Sequence, residues 1–186
     1  MTEKEKMLSG KLYLATDEEL TKERDYAKKL CYKFNMTDPS DYNRKKEILK
    51  KLFRTDEDCT IEPNFYCDYG YNIIIGKNFC ANHNCIILDV NTVEIGDNVF
   101  LGPGVQICTA SHPIDLNERV RGFEYGRPIK IGDSVWIGAG VIIIAGVEIG
   151  DNSIIGAGSI VTKNISSNVL AAGNPCRVIR ELLKLN

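Results

Sequence analysis

Few side chains of the 186-residue sequence are suited to chemistry near neutral pH, and one of them, His112, stands in a polar segment (TASHP, residues 109–113). A neutral imidazole can accept a proton from a hydroxyl group as that group attacks an electrophile, which is general-base catalysis. Cys108 precedes the segment and offers a thiol nucleophile. A loop histidine before proline is also often an ordinary solvated side chain. The residues alone therefore leave catalysis and simple solvation both open at His112.

Three cations, Lys163, Arg177 and Arg180, lie near the end of the sequence. Ammonium and guanidinium groups form strong charge-assisted hydrogen bonds with phosphate oxygens. On charge alone, a solvated basic tail is the simpler interpretation of these residues. A phosphate-bearing ligand is the alternative.

A repeat of six residues dominates the second half of the chain and must position these groups. A period of six fits neither an amphipathic helix nor a single alternating strand. It fits a prism-shaped parallel β-coil in which each hexad makes one face and three hexads close one turn. Alternation then directs positions i and i+4 inward and position i+5 outward. The aliphatic residues that define position i are Ile131, Ile137, Ile143, Ile149, Ile155 and Val161.

The pattern divides the chain into an N-terminal helical segment (residues 1–58) and a β-coil domain with a C-terminal tail (residues 59–186). Apolar residues recur on one face of each predicted helix, which indicates that the helices pack on the coil. Helix starts are predicted from three pairs of residues, Thr2 with Glu5, Thr16 with Glu19, and Asp38 with Pro39.

The hexads begin near Ile75, stop at the polar residues 109–129, restart at Ile131 and end near Ile165. The interruption matches no hexad and holds two prolines and two glycines. We predict a loop that protrudes from one corner of the coil, and long loops on rigid scaffolds are often functional. The tail, residues 173–186, is predicted to end as a short strand or helix.

The composition bounds the class of protein. The chain is 44% hydrophobic with a formal net charge of −2, which argues against nucleic acid or a membrane surface as its partner. Seven cysteines form no CxxC pair, and no run approaches the roughly 20 apolar residues of a membrane span. We therefore expect a cytoplasmic protein with reduced thiols.

Apolar residues also occupy outward positions of the predicted coil. Such a stripe must be covered, either by the N-terminal helices or by other subunits. Three-fold closure suits a three-faced prism, so we predict a homotrimer, with a helix-covered monomer as the alternative. The outward apolar residues are Ile86, Phe100, Trp136, Ile142, Ile154 and Ile160.

Several segments specify more than architecture. They are residues 109–113, 67–73 (CDYGYNI), 173–180 (GNPCRVIR) and 10–13 (GKLY), together with Asp17. In these segments the sequence resembles the maltose and galactoside O-acetyltransferases of the hexapeptide-repeat acyltransferase superfamily, most closely the maltose branch. The resemblance runs nearly end to end. It implies a mainly β fold, a left-handed parallel β-helix, and a homotrimer with sites between neighbouring subunits. It also implies acetyl transfer from acetyl-CoA to a sugar hydroxyl, at the 6-position.

Within this resemblance His112 is the general base of a direct transfer, without an acetyl intermediate on Cys108. Glu124 matches a residue of the maltose branch and orients the imidazole or binds the sugar. The positions that bind the acceptor fall on Asp17, Arg24, Asp68 and Asn82.

The acceptor positions also have simpler interpretations. Asp17 equally suits a helix cap, and Asp68 and Asn82 suit turns of the coil. The galactoside branch carries Ser at the position of Asp68 and an acidic sugar contact at the position of Val90. Asp89, next to Val90, is a further candidate for contacting sugar, although alternation directs it to the opposite face.

The donor side is implied in the same way. Trp136 matches a residue beside the pantetheine arm of CoA, and the backbone N–H of Ala139 is a candidate donor to the developing oxyanion. Lys163, Arg177 and Arg180 then lie along CoA, and no metal is required. Small-residue or backbone contacts with CoA fall on Ala139, Ala157 and Thr162.

Three other functions are alternatives. A zinc enzyme on the same coil needs three histidine ligands, whereas the chain has only His83 and His112. A non-catalytic scaffold explains the hexads but not the loop histidine together with the basic tail. Acetyl transfer to a xenobiotic, an amino sugar or serine is the third alternative, and an acceptor panel distinguishes it.

Overall fold

The computed structural model describes residues 1–182. Residues 1–182 contain four helices, and the N-caps of these helices follow the local sequence. The Thr2–Glu5 capping box forms as predicted. The predictions at Thr16 and Asp38 are wrong, because Asp17 and Asp41 accept the capping hydrogen bonds from backbone N–H groups instead. The helices are α1 (Glu3–Leu8), α2 (Glu18–Asn35), α3 (Tyr42–Phe53) and α4 (Leu116–Val120).

In the described part of the chain, nineteen short strands make up the rest of the regular structure. They are β1 (Tyr13–Leu14), β2 (Cys59–Ile61), β3 (Tyr66–Cys67), β4 (Ile73–Ile75), β5 (Phe79–Ala81), β6 (Ile86–Leu88), β7 (Val93–Ile95), β8 (Phe100–Leu101), β9 (Gln106–Cys108), β10 (Ala110–Ser111), β11 (Phe123–Gly126), β12 (Ile129–Ile131), β13 (Trp136–Ile137), β14 (Ile142–Ile144), β15 (Glu148–Ile149), β16 (Ile154–Ile155), β17 (Ile160–Val161), β18 (Val169–Ala172) and β19 (Arg177–Glu181).

The strands build a three-faced parallel β-helix, as the hexads predict. The chain visits the faces in turn, so that each strand pairs with the strand one coil later. The first face runs β2-β5-β8-β13-β16-β18, the second runs β3-β6-β9-β14-β17, and the third runs β4-β7-β12-β15. Register aligns the inward residues, and on the third face Ile75, Ile95, Ile131 and Ile149 stack in one column.

The interior of the coil is the largest hydrophobic core within residues 1–182. Inward positions i and i+4 are buried, as at Ile137 and Val141, while Trp136 at i+5 is exposed. The coil begins one turn before the predicted start near Ile75, because β2 and β3 already pair with β5 and β6. In that turn the core is filled by Ile61 and Phe65, which stand outside the regular hexad pattern.

Helices α2 and α3 close the N-terminal end of the coil and share its core. The predicted inner faces are buried, and the Phe53 ring packs edge-on against Phe65 with centroids 5.8 Å apart. The helical segment ends at Phe53 and the first coil strand starts at Cys59. We propose residue 58 as the boundary between the helical segment and the coil domain.

The protruding loop has more structure than the sequence indicates. Strands β10 and β11 and helix α4 lie within residues 109–129, and β11 also pairs with β1, a strand that the sequence pattern did not predict. The tail, which was predicted to end as a short strand or helix, contains strand β19, which pairs antiparallel with β18. The last tail residues, 183–186, lie outside the described residues. No helix within residues 1–182 is long and apolar enough to cross a membrane.

Candidate active site

His112 follows strand β10 directly, and its side chain is exposed. The base of the loop is firmly held. The buried Thr109 hydroxyl donates to Leu88 O at 2.7 Å, and the Asn91 side-chain amide donates to Gly126 O at 3.3 Å. The same amide donates to Met7 O at 3.2 Å, which ties α1 to the loop. A mobile loop could not hold an imidazole in one place, so these bonds position His112.

Glu124 lies on β11, directly opposite Tyr13 in the β1–β11 ladder. The Tyr13 hydroxyl donates to Glu124 Oε2 at 2.7 Å, and the Tyr13 side chain is 0% exposed. Burial and the Glu124 carboxylate raise the pKa of Tyr13, so the phenol remains a neutral donor. Within residues 1–182 no hydrogen bond joins Glu124 to His112. Tyr13 belongs to the GKLY segment, but its role could not be assigned from the sequence.

Asp68 and Arg24 lie near each other, as the acceptor prediction requires. Burial raises the pKa of Asp68, the Arg24 charge opposes that rise, and Glu124 adds to it. Arg24 donates to the Tyr69 hydroxyl at 2.7 Å and to Ala15 O. Tyr69 is thus a second buried tyrosine whose role the sequence did not reveal. Together these groups form a polar cluster beside the loop.

Asp17 has the alternative role noted from the sequence. Its carboxylate accepts the Leu20 N–H at 3.2 Å and caps α2. One carboxylate oxygen is therefore occupied, and the side chain is only partly exposed.

Asp89 does not lie on the surface. Its side chain is 0% exposed, and its carboxylate accepts backbone N–H groups of Asp68 and Tyr69 at 3.0 and 2.9 Å. The neighbouring Val90 is also buried. This burial is incompatible with direct contact between Asp89 and a sugar. The prediction that Asp89 contacts the sugar is therefore wrong. The physical reason is that the carboxylate is needed inside to satisfy backbone donors.

Asn82 lies apart from the acceptor cluster, in a groove on the first face. The groove has a volume of about 620 Å³, and Asn82 lines it together with Phe100, Trp136, Ala139 and Ala157. Trp136 is 55% exposed. The groove therefore brings together three residues predicted to bind the donor, Trp136, Ala139 and Ala157, and one predicted to bind the acceptor, Asn82.

The groove suits a long, flexible arm that carries amide groups. Trp136 offers a flat apolar wall. The backbone N–H groups of Ala139 and Ala157 donate no hydrogen bond to any residue in the described range 1–182. A Cβ added at Gly140 or Gly158 meets no atom within 4 Å, so the corner beside the groove is open.

The predicted cations and Thr162 lie at the last coil. The Cys176 N–H donates to Ile160 O at 2.8 Å, which brings the start of β19 against β17. Lys163, Arg177 and Arg180 are exposed, and among residues 1–182 none of them pairs with a carboxylate. Positive charge is thus available at one end of the coil for an anion.

Within one chain the loop and the groove lie on opposite sides of the prism. The loop leaves between β9 and β12, at the corner between the second and third faces, whereas the groove lies on the first face. A separate cavity of about 410 Å³ adjoins the loop and is lined by Cys108, Ser111 and Tyr125 among others. Burial raises the pKa of Cys108, which disfavours the thiolate that a nucleophilic role needs.

A hexapeptide coil with a loop histidine, an apolar groove and a basic end defines the class of hexapeptide-repeat acyltransferases. The family model described as the maltose acetyltransferase hexapeptide capping motif matches residues 6–55, and the bacterial transferase hexapeptide model matches residues 128–163. The chain is 48% identical to the galactoside O-acetyltransferase of Escherichia coli (strain K12), over 96% of this chain and 88% of its relative.

Two solved structures extend the match. A maltose O-acetyltransferase from Clostridium difficile 630 is 58% identical with a TM-score of 0.97, and the match covers 99% of both chains. A galactoside acetyltransferase in complex with coenzyme A is 46% identical with a TM-score of 0.92, covering 98% of this chain and 92% of that one. The chain belongs to the maltose and galactoside O-acetyltransferase family. The same match confirms the left-handed β-helix.

Proposed function

We propose that the chain moves an acetyl group from acetyl-CoA to a sugar hydroxyl, with His112 as general base. The observation that carries the proposal is an exposed histidine beside a polar cluster, together with an apolar groove that ends near three exposed cations. The names of the related proteins support the same donor and acceptor class. The hydroxyl modified is the one at the 6-position, on the family resemblance.

Residues of the groove hold the donor. Lys163, Arg177 and Arg180 meet the phosphates, and Trp136 flanks the pantetheine arm. Ala157 and Thr162 contribute small-residue and backbone contacts. The thioester carbonyl then lies near Ala139, whose free N–H stabilises negative charge that develops on the oxygen. One such donor in an enclosed site is worth roughly 10²–10³-fold in rate.

The polar cluster holds the acceptor. Asp68, Arg24 and Asp17 bind sugar hydroxyls, and Glu124 orients either the sugar or the imidazole. His112 takes the proton of the attacking hydroxyl as its oxygen bonds to the acetyl carbon, which is worth roughly 10²–10⁴-fold. The carbon–sulfur bond then breaks, and the proton passes from His112 to the departing CoA sulfur. No group of the enzyme is acetylated.

The site is shared by two copies of the chain. His112 and the groove lie on opposite sides of one prism, so the imidazole of one copy serves the groove and Asn82 of its neighbour. A homotrimer closes this arrangement with three equal sites. The outward Phe100 and Trp136, both exposed in one chain, are consistent with such a contact. We place the enzyme in the cytoplasm because its seven cysteines are free.

The test is the loss of thioester absorbance from acetyl-CoA with a panel of acceptors: glucose, maltose, a galactoside, glucosamine, serine and chloramphenicol. Absorbance is preferable to a thiol reagent, because the free cysteines would react with one. We expect turnover that depends on a sugar and vanishes in His112→Ala. Turnover with only serine, the amino sugar or the drug would replace the acceptor and keep the donor.

A further inference from the structure

We infer that Asp89 is a positioning residue that orders the acceptor-binding segment, residues 68–72, from beneath. This inference rests on the proposed function, because it assigns to Asp89 the arrangement of groups that would bind the sugar. It replaces the surface role that the sequence suggested.

The carboxylate of Asp89 is the common acceptor for this segment. Oδ1 accepts the N–H groups of Asp68 and Tyr69 at 3.0 and 2.9 Å, and Oδ2 accepts the N–H of Asn72 at 3.3 Å. The Asn72 side chain donates back to Asp89 O at 2.7 Å. One side chain thereby satisfies three backbone N–H groups of this segment.

Helix α3 packs closely against the same segment. Gly70 has φ +79, and a Cβ there would lie 2.6 Å from Leu52 O at the end of α3. The turn is therefore pressed between the helix and the coil. Asp89 follows β6, which pairs with β3 one coil later, and so contacts the turn from the next coil.

The ordered segment carries the acceptor groups into place. Asp68 is directly bonded through its backbone. Tyr69 is 2% exposed, and its hydroxyl accepts from Arg24 at 2.7 Å. A single buried carboxylate thus sets the positions of a candidate sugar ligand, Asp68, and of the cation beside it, Arg24. The groove on the first face includes none of these residues.

The protonation of Asp89 should matter, because only the carboxylate can accept all three N–H groups. Burial raises the pKa of Asp89 to about 7, and the backbone donors oppose that rise. The ionisable groups that face it are the Asp68 carboxyl and the Tyr71 phenol in the segment itself, the Cys67 thiol on β3 and the Cys31 thiol on α2.

The experiment compares Asp89→Asn with Asp97→Asn by steady-state kinetics. Asp97 is a matched control, because its carboxylate also accepts a backbone N–H from the neighbouring coil, that of Lys77 at 2.7 Å, but at an exposed corner. We expect Asp89→Asn to raise KM for maltose or glucose about tenfold, the effect of losing one buried hydrogen bond. KM for acetyl-CoA should stay within about twofold, and Asp97→Asn should change neither value.

Two further readouts separate positioning from general stability. Between pH 6 and pH 8 the KM ratio of Asp89→Asn to wild type should rise, because only wild type gains the carboxylate. Backbone hydrogen exchange should accelerate at residues 68–72 in Asp89→Asn and not in Asp97→Asn. Tyr69→Phe, which keeps the ring and removes the bond to Arg24, should also raise the sugar KM alone.

The outcomes are distinguishable. Sugar turnover by wild type with unchanged KM in Asp89→Asn overturns this inference and leaves the proposed function standing. An equal rise in both KM values would make Asp89 a general scaffold residue and also overturn it. No sugar turnover by wild type overturns the proposed function, and the acceptor role of Asp89 with it.

Discussion

Replacing Tyr13 by phenylalanine tests how the N-terminal segment supports the loop that carries His112. Tyr13 lies on β1, is 0% exposed, and donates at 2.7 Å to Glu124 on β11. Phenylalanine keeps the ring and its packing and removes only the hydroxyl. The change therefore isolates one hydrogen bond between the segment and the loop.

The expected cost follows from the type of bond. A hydrogen bond to a charged group contributes about 1.5–3 kcal/mol. Glu124 is only partly buried, so water can replace the phenol at its carboxylate, and we expect about 1.5 kcal/mol, the low end of that range. In a protein of this size 1 kcal/mol shifts Tm by about 2–4 °C. The variant should therefore melt about 3–6 °C lower at the same protein concentration.

Calorimetry and kinetics together provide the assay. Turnover with sugar should fall at least fivefold in Tyr13→Phe, since roughly 1 kcal/mol of lost positioning changes a rate by that order. Tyr42→Phe makes the same chemical change at a side chain that is 76% exposed and should alter neither Tm nor turnover. A Tm and a turnover equal to wild type in Tyr13→Phe would refute the support of Glu124 by Tyr13.

Two further substitutions test the coil and the groove. Gly138→Ala should destabilise by about 1–3 kcal/mol, because the new Cβ lies 2.6 Å from Ala157 N. Gly140→Ala, with φ +65 and no atom within 4 Å, should cost only about 1 kcal/mol from its backbone conformation, and urea unfolding ranks the two. An equal cost would contradict close stacking of the coils. Trp136→Ala should raise KM for acetyl-CoA about tenfold and spare KM for sugar; an unchanged acetyl-CoA KM in steady-state assays would remove Trp136 from the donor site.

Much of the fold is predictable from the sequence because its signal is periodic. Inward residues of a stacked coil recur at one spacing, and that spacing indicates both the faces and the register, as in the column through Ile131. The first coil was not recognised from this spacing, since Phe65 fills its core outside any hexad that is followed by glycine. Strand β1 was not recognised either, because it has two residues, shows no repeat, and pairs with a loop that is distant in sequence.

The candidate site is predictable only in part. His112, Trp136 and the basic tail could be identified by likeness to family motifs, and the structure shows where each lies. Alternation indicated only that Asp89 and Val90 point to opposite faces, and both are buried. The role of Asp89 depends on backbone donors of the preceding coil, about twenty residues earlier, which no local pattern reveals. Tyr13 and Tyr69 were missed for the same reason, because their partners are distant in sequence.

The central claim is that His112 of one copy acts on acetyl-CoA held in the groove of another. The most direct measurement combines two inactive chains, His112→Ala and Ala139→Trp, the second of which blocks the groove. The two chains are co-expressed with different affinity tags, and oligomers that carry both tags are isolated.

Sugar-dependent loss of the acetyl-CoA thioester is then measured for these mixed oligomers and for each variant alone. In every mixed trimer one intact imidazole faces one open groove, so about one third of the wild-type turnover should return while each variant alone stays inactive. Mixed oligomers that remain as inactive as the single variants would contradict the shared site.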